Sequence, residues 1–404
     1  MDVPGELKIA PRLLLGPGPA AVSPRVLRAM ASPMLGYLDA DLVAMLKECA
    51  AMMRQVLGTA NPLTLAVSGT GTAGMEAALS NLLEPGDAIL IGANGYFSER
   101  LTEISSRCGA RVARLEVPWG QAVSAADLRT TLAREGAKVV AIVHGETSTG
   151  VLQPLQEIST VTHEAGALLL VDVVTSIGGA PIDMDRVGVD ALYGATQKCL
   201  GGPPGLAPIS FGSRAVDALR RRRSPVQSFY LDLTILERYW GGEMVYHHTI
   251  SMPLVYAVRE ALRQALEEGL EERYERHRRV AAALRAGLEA LGLPSMTDPA
   301  CQAPMLTAVA IPEGIDEAAI RGRLLREEGI EIGAGLGAWR GKAWRIGMMG
   351  ESCSLGNALT LLAALERLLG QAAGRAVRAG GAVAAAAGAY AGWGSRLPAP
   401  AARR

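Results

Sequence analysis

The sequence predicts an α/β fold built on a mostly parallel sheet. Strand-like apolar runs alternate with helical patterns most regularly between residues 60 and 212, and this alternation is typical of a parallel sheet covered by helices. The 404 residues are 49% hydrophobic and 20% charged, a composition that fills a large core and suits roughly two domains.

The first half of the chain contains the repeating strand and helix pattern. Short apolar runs predict strands at 63–67, 88–91, 112–115, 139–144, 167–172, 191–194 and 207–211. Longer runs with helical spacing predict helices at 73–83, 98–108 and 155–164, and the sequence EPGD at 84–87 predicts a turn. Ligands of such folds bind at the carboxyl ends of the strands.

The second half predicts a change of architecture. Residues 254–293 are rich in Leu, Ala, Glu and Arg, which predicts a long helical stretch with a break near Gly269. Strands at 307–311 and 343–348 around a helix at 315–328 then predict a smaller α+β domain. The predicted organisation is an N-terminal arm (1–22), a large domain (23–268), a small domain (269–370) and a flexible tail (371–404) rich in Ala and Gly.

Charge and cysteine content narrow the functional classes. Forty basic residues balance forty acidic ones, so no global field favours nucleic acid or an acidic membrane. The arginines at 220–223 are not interleaved with aromatic residues, and we interpret them as a solvated helix end. Five scattered cysteines indicate a reducing cytoplasm, and no His or Cys cluster indicates a metal site, since the adjacent His247 and His248 side chains would diverge. No uninterrupted apolar run is long enough to predict a membrane span, and the first residues do not have the pattern of a signal peptide.

A carboxylate and a lysine carry the strongest chemical signal. The apolar run at 167–171 ends in Asp172, and Lys198 follows 26 residues later in the sequence ATQKC. Pyridoxal phosphate enzymes need a lysine amine that bonds to the cofactor's aldehyde and a carboxylate that keeps its pyridine nitrogen protonated. The pair therefore predicts a pyridoxal 5'-phosphate enzyme.

The glycines of the sequence GTGTAG at 69–74 offer a rival interpretation. Gly69, Gly71 and Gly74 fit the dinucleotide fingerprint, follow a predicted strand and open a predicted helix. The next strand, however, ends in Gly92, Ala93 and Asn94 without the acidic residue that binds a ribose. Backbone amides and two threonine hydroxyls at a helix N-terminus would hold a single phosphate equally well, so we favour a monophosphate over an NAD cofactor.

Several short motifs resemble those of one enzyme family. They are LLGPGP at 14–19, VSGTGT at 67–72, EPGD at 84–87, HGETSTG at 144–150, VD at 171–172, TQK at 196–198, GPPG at 202–205, YHHT at 246–249 and WRIG at 344–347. In this order, over residues 12 to about 370, the chain resembles a class V aminotransferase of fold-type I, and specifically the alanine/serine–glyoxylate branch. The resemblance implies a seven-stranded sheet in the large domain.

The resemblance also implies cofactor-binding residues. Lys198 would bond to the cofactor and move a proton between substrate and cofactor, and Asp172 would pair with the pyridine nitrogen. Phe97 would stack on the ring, where relatives often have Trp. The phosphate would be bound by Thr70, Gly71, Thr72 and Gln197, and by Tyr246 and Thr249 from the second subunit of a homodimer. Some relatives have His in place of Thr72.

Substrate contacts follow from the same resemblance. Ser148 would lie near the cofactor and the substrate carboxylate. Arg345 would bind that carboxylate, because a guanidinium takes both oxygens in a bidentate pair. Gly36 and Tyr37 fall in the N-terminal entrance segment, where relatives vary.

The implied reaction is a ping-pong transamination. A small amino acid such as alanine or serine would give its amino group to glyoxylate, yielding a 2-oxo acid and glycine. A pyridoxamine–pyruvate activity, and more distantly a cysteine desulfurase activity, occur in the same family; the latter would need a nucleophilic cysteine, for which Cys353 is the candidate. An NAD oxidoreductase, or a protein that binds the cofactor without turnover, are the alternatives of a different class.

Overall fold

The computed structural model describes residues 4–243, 245–373 and 379–394. Its strands are β1 (Leu13–Leu14), β2 (Leu63–Ser68), β3 (Ala88–Ala93), β4 (Arg111–Glu116), β5 (Val139–Val143), β6 (Gly145–Glu146), β7 (Val151–Leu152), β8 (Leu168–Asp172), β9 (Ala191–Tyr193), β10 (Leu206–Phe211), β11 (Leu306–Ala310), β12 (Ile330–Glu331), β13 (Gly333–Ala334) and β14 (Ala343–Gly347).

The helices of the same ranges are α1 (Pro24–Met30), α2 (Ala40–Leu57), α3 (Gly71–Leu82), α4 (Tyr96–Arg107), α5 (Ala125–Glu135), α6 (Gln156–Glu164), α7 (Met184–Val187), α8 (Ser213–Arg220), α9 (Leu233–Trp240), α10 (Met252–Glu268), α11 (Leu270–Ala290), α12 (Glu317–Glu327), α13 (Leu355–Ala373) and α14 (Gly381–Ala391). Short 3-10 helices lie at Phe229–Leu231, Pro299–Cys301, Gly337–Trp339 and Gly350–Ser352.

The central sheet has seven strands in the order β2-β10-β9-β8-β5-β3-β4. Strand β10 runs antiparallel to both of its neighbours, and the other pairs are parallel. Strands β5 and β8 are buried along their whole length, as expected of inner strands covered on both faces. Every strand predicted for this region is present, with bounds shifted by at most two residues.

The register between β8 and β9 places two polar side chains next to each other at the ends of the strands. Asp172 is paired with Tyr193, so the ends of these two parallel strands lie side by side. Helices α3, α4 and α6 contact the sheet, and the chain leaves it through α10. Gly269, with φ 84°, separates α10 from α11, which confirms the predicted break.

The rest of the chain forms a second apolar core. Strands β11, β14 and β13 make an antiparallel sheet, and a cluster of buried residues joins it to α11, α12 and α13. Strand β1, from the start of the chain, pairs in parallel with β12. This cluster is separate from the larger one around the central sheet. The division into domains, with boundaries at residues 22, 268 and 370, stays a prediction.

The segment predicted as a flexible tail differs from that expectation in one part. Residues Gly381–Ala391 form α14, which contacts α11 along its length. Its Ala382 and Ala386 side chains are buried, and the Arg279 guanidinium lies 3.7 Å from the Tyr390 ring centroid. The small side chains of α14 allow the helix to pack close to α11. Because such side chains have little apolar surface of their own, the composition predicted that this segment would stay unpacked. Residues 374–378 and 395–404 of the predicted tail lie outside the described residues.

None of the helices within the described ranges combines the length and the hydropathy that a membrane span requires.

Candidate active site

A cleft lies where the parallel strands of the central sheet end, with an empty volume of about 530 Å³ that is partly open to solvent. Seven of the residues predicted to bind the cofactor line it: Thr70, Gly71, Thr72, Phe97, Asp172, Gln197 and Lys198. The structure therefore brings together side chains that are up to 128 positions apart in sequence, from Thr70 to Lys198.

Asp172 ends strand β8 and is buried, with 3% of its surface exposed. Its Oδ1 accepts a hydrogen bond from the Val174 backbone N–H at 2.8 Å, and its Oδ2 accepts one from the Tyr193 hydroxyl at 2.7 Å. Burial raises the pKa of Asp172 to about 6, against the lowering effect of these hydrogen bonds and of the Lys198 charge. The carboxylate is thus fixed in orientation at the bottom of the cleft.

Lys198 is also buried, with 9% exposed, and its amine donates to the backbone oxygen of Pro17. Burial lowers the pKa of Lys198 to about 8, so a larger fraction of the amine is neutral and nucleophilic near neutral pH than for an exposed lysine. The N-terminal segment also approaches the lysine closely at Gly18, which has φ +103°. A Cβ at Gly18 would lie 2.5 Å from Lys198 Nζ, so only glycine fits beside the lysine.

The loop between β2 and α3 forms the opposite end of the cleft. Thr70 precedes α3, and its side chain makes no capping hydrogen bond among the described residues. The Ala73 and Gly74 N–H groups donate to the Thr70 carbonyl, whereas those of Gly71 and Thr72, at the very start of the helix, are placed to bind an anion. A Cβ at Gly71 would lie 2.9 Å from Val174 Cγ2, which explains why the chain has glycine there. The side-chain oxygen of the neighbouring Gln197 is buried and has no hydrogen-bond partner among the described residues, so this amide retains capacity for a ligand.

Glu146 joins Phe97 to Ser148. Its Oε1 accepts from the Ser148 backbone N–H at 2.8 Å, and its Oε2 accepts from the Phe97 N–H at 3.1 Å. The Ser148 Oγ accepts in turn from the Tyr96 N–H at 2.9 Å. Ser148 is fully buried, and the side chains that line the cleft include Thr147 in its place. The hydrogen bonds of Ser148 hold the start of α4, which carries Phe97.

Arg345 approaches the cleft from strand β14 of the second core. It is buried, and its guanidinium donates to the backbone oxygens of Ala334 at 2.6 Å and Thr147 at 3.2 Å. Burial lowers the pKa of Arg345 to about 10, with an opposing effect from Glu146. The guanidinium is 7% exposed and, among the described residues, bonds only to backbone oxygens. Its positive charge is therefore not paired with a carboxylate and can bind an anionic ligand.

Besides Ser148 and Arg345, four more of the predicted residues do not line the cleft. The Tyr246 ring lies 4.7 Å from the Tyr37 ring, and its hydroxyl lies 3.4 Å from Thr249 Oγ1. Tyr246 and Tyr37 are exposed, at 53% and 44%. Gly36 precedes Tyr37 in the sequence, and none of the four lines the cleft. The resemblance assigned Tyr246 and Thr249 to the phosphate of a second subunit's site, and Gly36 and Tyr37 to the entrance segment. Both assignments stay predictions.

The alternative chemistries find little support. Cys353 is 1% exposed, and burial raises the pKa of its thiol to about 12, whereas a nucleophilic cysteine needs an accessible, acidic thiol. His247 and His248 bond to each other through their Nδ1 atoms at 2.7 Å, contrary to the predicted divergence of their side chains. No three His, Cys, Asp or Glu side chains within the described ranges could share a metal ion.

The sequence profile of the family Aminotransferase class-V matches residues 19–342. This chain belongs to the class V aminotransferase family. The matched region contains the whole lining of the cleft, so the family assignment and the site refer to the same part of this aminotransferase. The predictions of the family and of an enzyme are confirmed.

The relatives are similar over nearly the whole length. The (S)-ureidoglycine–glyoxylate transaminase of Bacillus subtilis (strain 168) is 41% identical over 397 residues, or 93% of this chain and 95% of the relative. The crystal structure of an alanine–glyoxylate aminotransferase from Nostoc sp. matches with a TM-score of 0.90 at 46% identity, over 91% and 97% of the two chains. The pyridoxamine–pyruvate aminotransferase of Mesorhizobium loti matches with a TM-score of 0.88 at 28% identity, over 93% and 96%. The fold is that of the fold-type I pyridoxal phosphate-dependent transferases, as predicted.

Three residues at the candidate site were not predicted from the sequence. Tyr193 is one strand away from Asp172, and only the order of the sheet reveals this. Glu146 lies inside the motif at 144–150, but its burial gives no sequence signal. Arg100, which lines the cleft, lies three positions after Phe97 on a helix, a spacing that places two side chains on one face and could have indicated it.

Proposed function

We propose that this aminotransferase uses pyridoxal 5'-phosphate to transfer the amino group of a small amino acid to glyoxylate, giving glycine and a 2-oxo acid. The observation that carries the proposal is the placement of a buried lysine, Lys198, and a buried carboxylate, Asp172, in one cleft. Arg345 adjoins the cleft through its hydrogen bond to the backbone of Thr147, which lines it. The names of the relatives from Bacillus subtilis and Nostoc sp. support glyoxylate as the amino acceptor.

The residues of the cleft fit this cofactor. An aldehyde needs an amine that is neutral part of the time, and burial lowers the pKa of Lys198 to about 8. A pyridine nitrogen needs a fixed carboxylate, which Asp172 provides. An aromatic ring needs a flat apolar surface, which Phe97 provides. A phosphate needs hydrogen-bond donors, and the first turn of α3 offers them beside the Thr70 and Thr72 hydroxyls.

When bound, the cofactor supplies an electron-accepting ring that stabilises negative charge at the substrate Cα. Lys198 would hold the cofactor, and its amine would serve as the base that moves the proton of the substrate Cα. Asp172 would pair with the ring nitrogen and keep it protonated. The close N-terminal segment at Pro17 and Gly18 limits access of water to the lysine.

Arg345 orients the substrate. A bidentate pair with the α-carboxylate fixes the Cα beside Lys198. We infer a small donor, because Arg345 already serves the α-carboxylate, and the other arginine of the cleft, Arg100, lies at the Thr72 end. Alanine and serine fit this description, and (S)-ureidoglycine is added by the name of the Bacillus subtilis relative.

A homodimer with shared active sites is part of the proposal. Tyr246, Thr249 and Tyr37 form an exposed polar and aromatic group outside their own cleft. Exposed aromatic residues of this kind are enriched in protein interfaces. A second copy would bring Tyr246 and Thr249 to the phosphate, and Gly36 and Tyr37 to the substrate entrance.

The visible spectrum of the purified protein with the cofactor tests the proposal. The Lys198-linked cofactor absorbs visible light; an amino donor should bleach the band, and glyoxylate should restore it. L-alanine, L-serine and (S)-ureidoglycine are compared as donors, with pyridoxamine and pyruvate as the second candidate pair suggested by the Mesorhizobium loti structure. A band that only pyridoxamine bleaches would reject the glyoxylate reaction, and a Lys198→Ala variant that keeps the band would reject the role of the lysine.

A further inference from the structure

Arg100 is the feature of the cleft that the proposed function has not used. It lies on α4, and its guanidinium stands 5.1 Å from the Phe97 ring centroid. Its Nη1 donates to the Thr72 hydroxyl at 3.0 Å. Two contacts of different kinds therefore fix the guanidinium in the wall of the cleft, because a cation is attracted to the face of an aromatic ring and a hydroxyl accepts from its N–H.

The charge of Arg100 has no carboxylate partner within the part of the chain that the structure describes. Its neighbours differ: Arg107 on the same helix pairs with Glu103 at 2.8 Å, and Arg114 on β4 pairs with Glu99 at 2.6 Å. The Arg100 charge also acts at longer range on Asp172, where it opposes the rise of the carboxyl pKa. An arginine that lines a cleft without a direct carboxylate contact is a binding group for an anion.

The position of Arg100 indicates which anion. Thr72, its hydrogen-bond partner, lies in the first turn of α3, where backbone N–H groups point outward and the helix dipole adds positive potential. The helix terminus and Arg100 therefore converge on one place in the cleft. Together they match the charge of a phosphate monoester, which is close to a dianion at neutral pH.

We propose that Arg100 is the cationic ligand of the cofactor's phosphate group, held in place by the Phe97 ring and the Thr72 hydroxyl. The inference rests on the proposed function, because it assumes the phosphate of pyridoxal 5'-phosphate. It gives α4 two roles in binding the cofactor, since the same helix turn presents Phe97 to the ring and Arg100 to the phosphate.

The rival role for Arg100 is to bind a second carboxylate of a dicarboxylic substrate. Arg345, which is placed to bind the α-carboxylate, contacts Thr147 and Ala334, while Arg100 contacts Thr72. Under the proposal the phosphate occupies the place beside Arg100, so a distal carboxylate would not bind there. The test separates the two roles.

The experiment compares two ligands on the apoprotein: pyridoxal 5'-phosphate and pyridoxal, which has the same aldehyde and ring but no phosphate. Affinities are measured for wild type, Arg100→Gln and Arg100→Lys. The matched control is Arg107→Gln, which removes an exposed arginine from the same helix. We expect Arg100→Gln to weaken pyridoxal 5'-phosphate binding by roughly tenfold to a hundredfold, the range of a charge-assisted hydrogen bond, without changing pyridoxal binding. Arg100→Lys should regain part of the loss.

Inorganic phosphate provides a second measurement. It should raise the thermal unfolding temperature of the wild-type apoprotein, and the rise should be smaller in Arg100→Gln and unchanged in Arg107→Gln. An equal loss of affinity for both aldehydes in Arg100→Gln would overturn the proposal, because it would show that Arg100 acts only through Phe97. Unchanged binding of both, with weaker turnover of dicarboxylic donors, would assign Arg100 to substrate instead.

The proposed function fails in a different way. If the wild-type protein binds neither aldehyde, the pyridoxal phosphate assignment is wrong and the role of Arg100 falls with it. If the wild type binds pyridoxal 5'-phosphate and transaminates but Arg100→Gln retains its full preference for the phosphorylated aldehyde, only the inference about Arg100 is wrong.

Discussion

The Tyr193 hydroxyl donates a 2.7 Å hydrogen bond to Asp172 Oδ2 across two adjacent parallel strands. The Val174 N–H donates to Oδ1 of the same carboxylate, and the two hydrogen bonds together fix its orientation. Both residues are buried, so the bond is not exchanged with water. The orientation of the carboxylate that we assign to the cofactor nitrogen thus depends on a tyrosine that belongs to the next strand.

Tyr193→Phe should shift the acidic limit of cofactor binding. Burial raises the pKa of Asp172 to about 6, and the Tyr193 hydrogen bond opposes that rise, so its loss raises the pKa further. Because the ionised carboxylate is the form that binds, affinity should be lost at a higher pH, by about one pH unit for a hydrogen bond of about 1.4 kcal/mol. Cofactor affinity between pH 5 and 8 measures the shift. Tyr274→Phe, a buried tyrosine on α11, is the control, and identical profiles for both variants would exclude the tuning role.

Glu146→Gln should change the pH dependence of apoprotein stability. Burial raises the pKa of Glu146 to about 7, so the folded state holds this proton more tightly than the unfolded state does. The contribution to stability is full below pH 4.5 and is lost as pH rises through 7. Glutamine does not titrate, so Glu146→Gln should gain about 1–3 kcal/mol relative to wild type between pH 5.5 and 8.

Urea unfolding of the apoprotein at both pH values measures this difference. The control is Glu268→Gln, because the arginine partners of Glu268 outweigh its burial and lower its pKa. That variant should be destabilised equally at pH 5.5 and 8. A constant difference for Glu146→Gln as well would show that Glu146 ionises normally in the folded protein.

Gly18→Ala should prevent attachment of the cofactor. The added Cβ would lie 2.5 Å from Lys198 Nζ on a backbone with φ +103°, so the lysine or the loop must move. Gly86→Ala introduces the same type of strain, with φ +90°, but meets no atom within 4 Å. Both variants should lose some stability, whereas only Gly18→Ala should lose the visible band. A normal band in Gly18→Ala would show that the N-terminal segment can withdraw.

Tyr390→Ala should destabilise the second core by about 1–2 kcal/mol. The ring lies under the Arg279 guanidinium, and removing it takes away a cation–π contact and apolar contact area between α14 and α11. Tyr390→Phe keeps the ring and should be close to neutral. Denaturant unfolding measures both, and cofactor affinity should be unchanged because α14 does not line the cleft. Equal stability of Tyr390→Ala and wild type would mean that α14 contributes nothing there.

Two inactive variants should complement each other if the active sites are shared. Lys198→Ala lacks the amine, and Tyr246→Ala lacks the side chain that the partner subunit is proposed to supply. In a mixed dimer, the lysine of the Tyr246→Ala subunit meets an intact tyrosine from the other, which restores one site of two. Activity should appear after co-refolding of the two variants and not after separate refolding. Failure of a verified mixed dimer to regain activity would place Tyr246 outside the site.

The sequence was sufficient for the features that depend on local pattern. Asp172 follows an apolar strand and Lys198 lies in a loop, and both positions were predicted because period and spacing are local. Tyr193 was missed because strand order in a sheet is set by packing between distant segments. The α14 helix was missed because small residues have low apolar area, and their value depends on a partner surface close enough to use it. The exposed Tyr246 and Tyr37 show a further limit of prediction from one sequence, because a single chain contains only part of the environment that we propose for them.

The N-terminal strand has a consequence for the order in which the molecule is made. Leu13 pairs with Ile330, and the Leu15 oxygen accepts from the Gly347 N–H, so the segment that reaches Lys198 through Pro17 is anchored by residues more than 300 positions later. During synthesis the ribosome releases the central sheet long before those residues exist. The contact between Lys198 and the Pro17 oxygen is therefore not anchored until residues in the last quarter of the chain have emerged. Contacts between segments so far apart in sequence form slowly in folding. A nascent chain that stops before residue 330 contains Lys198, but the N-terminal segment that lies beside the lysine has no strand to pair with.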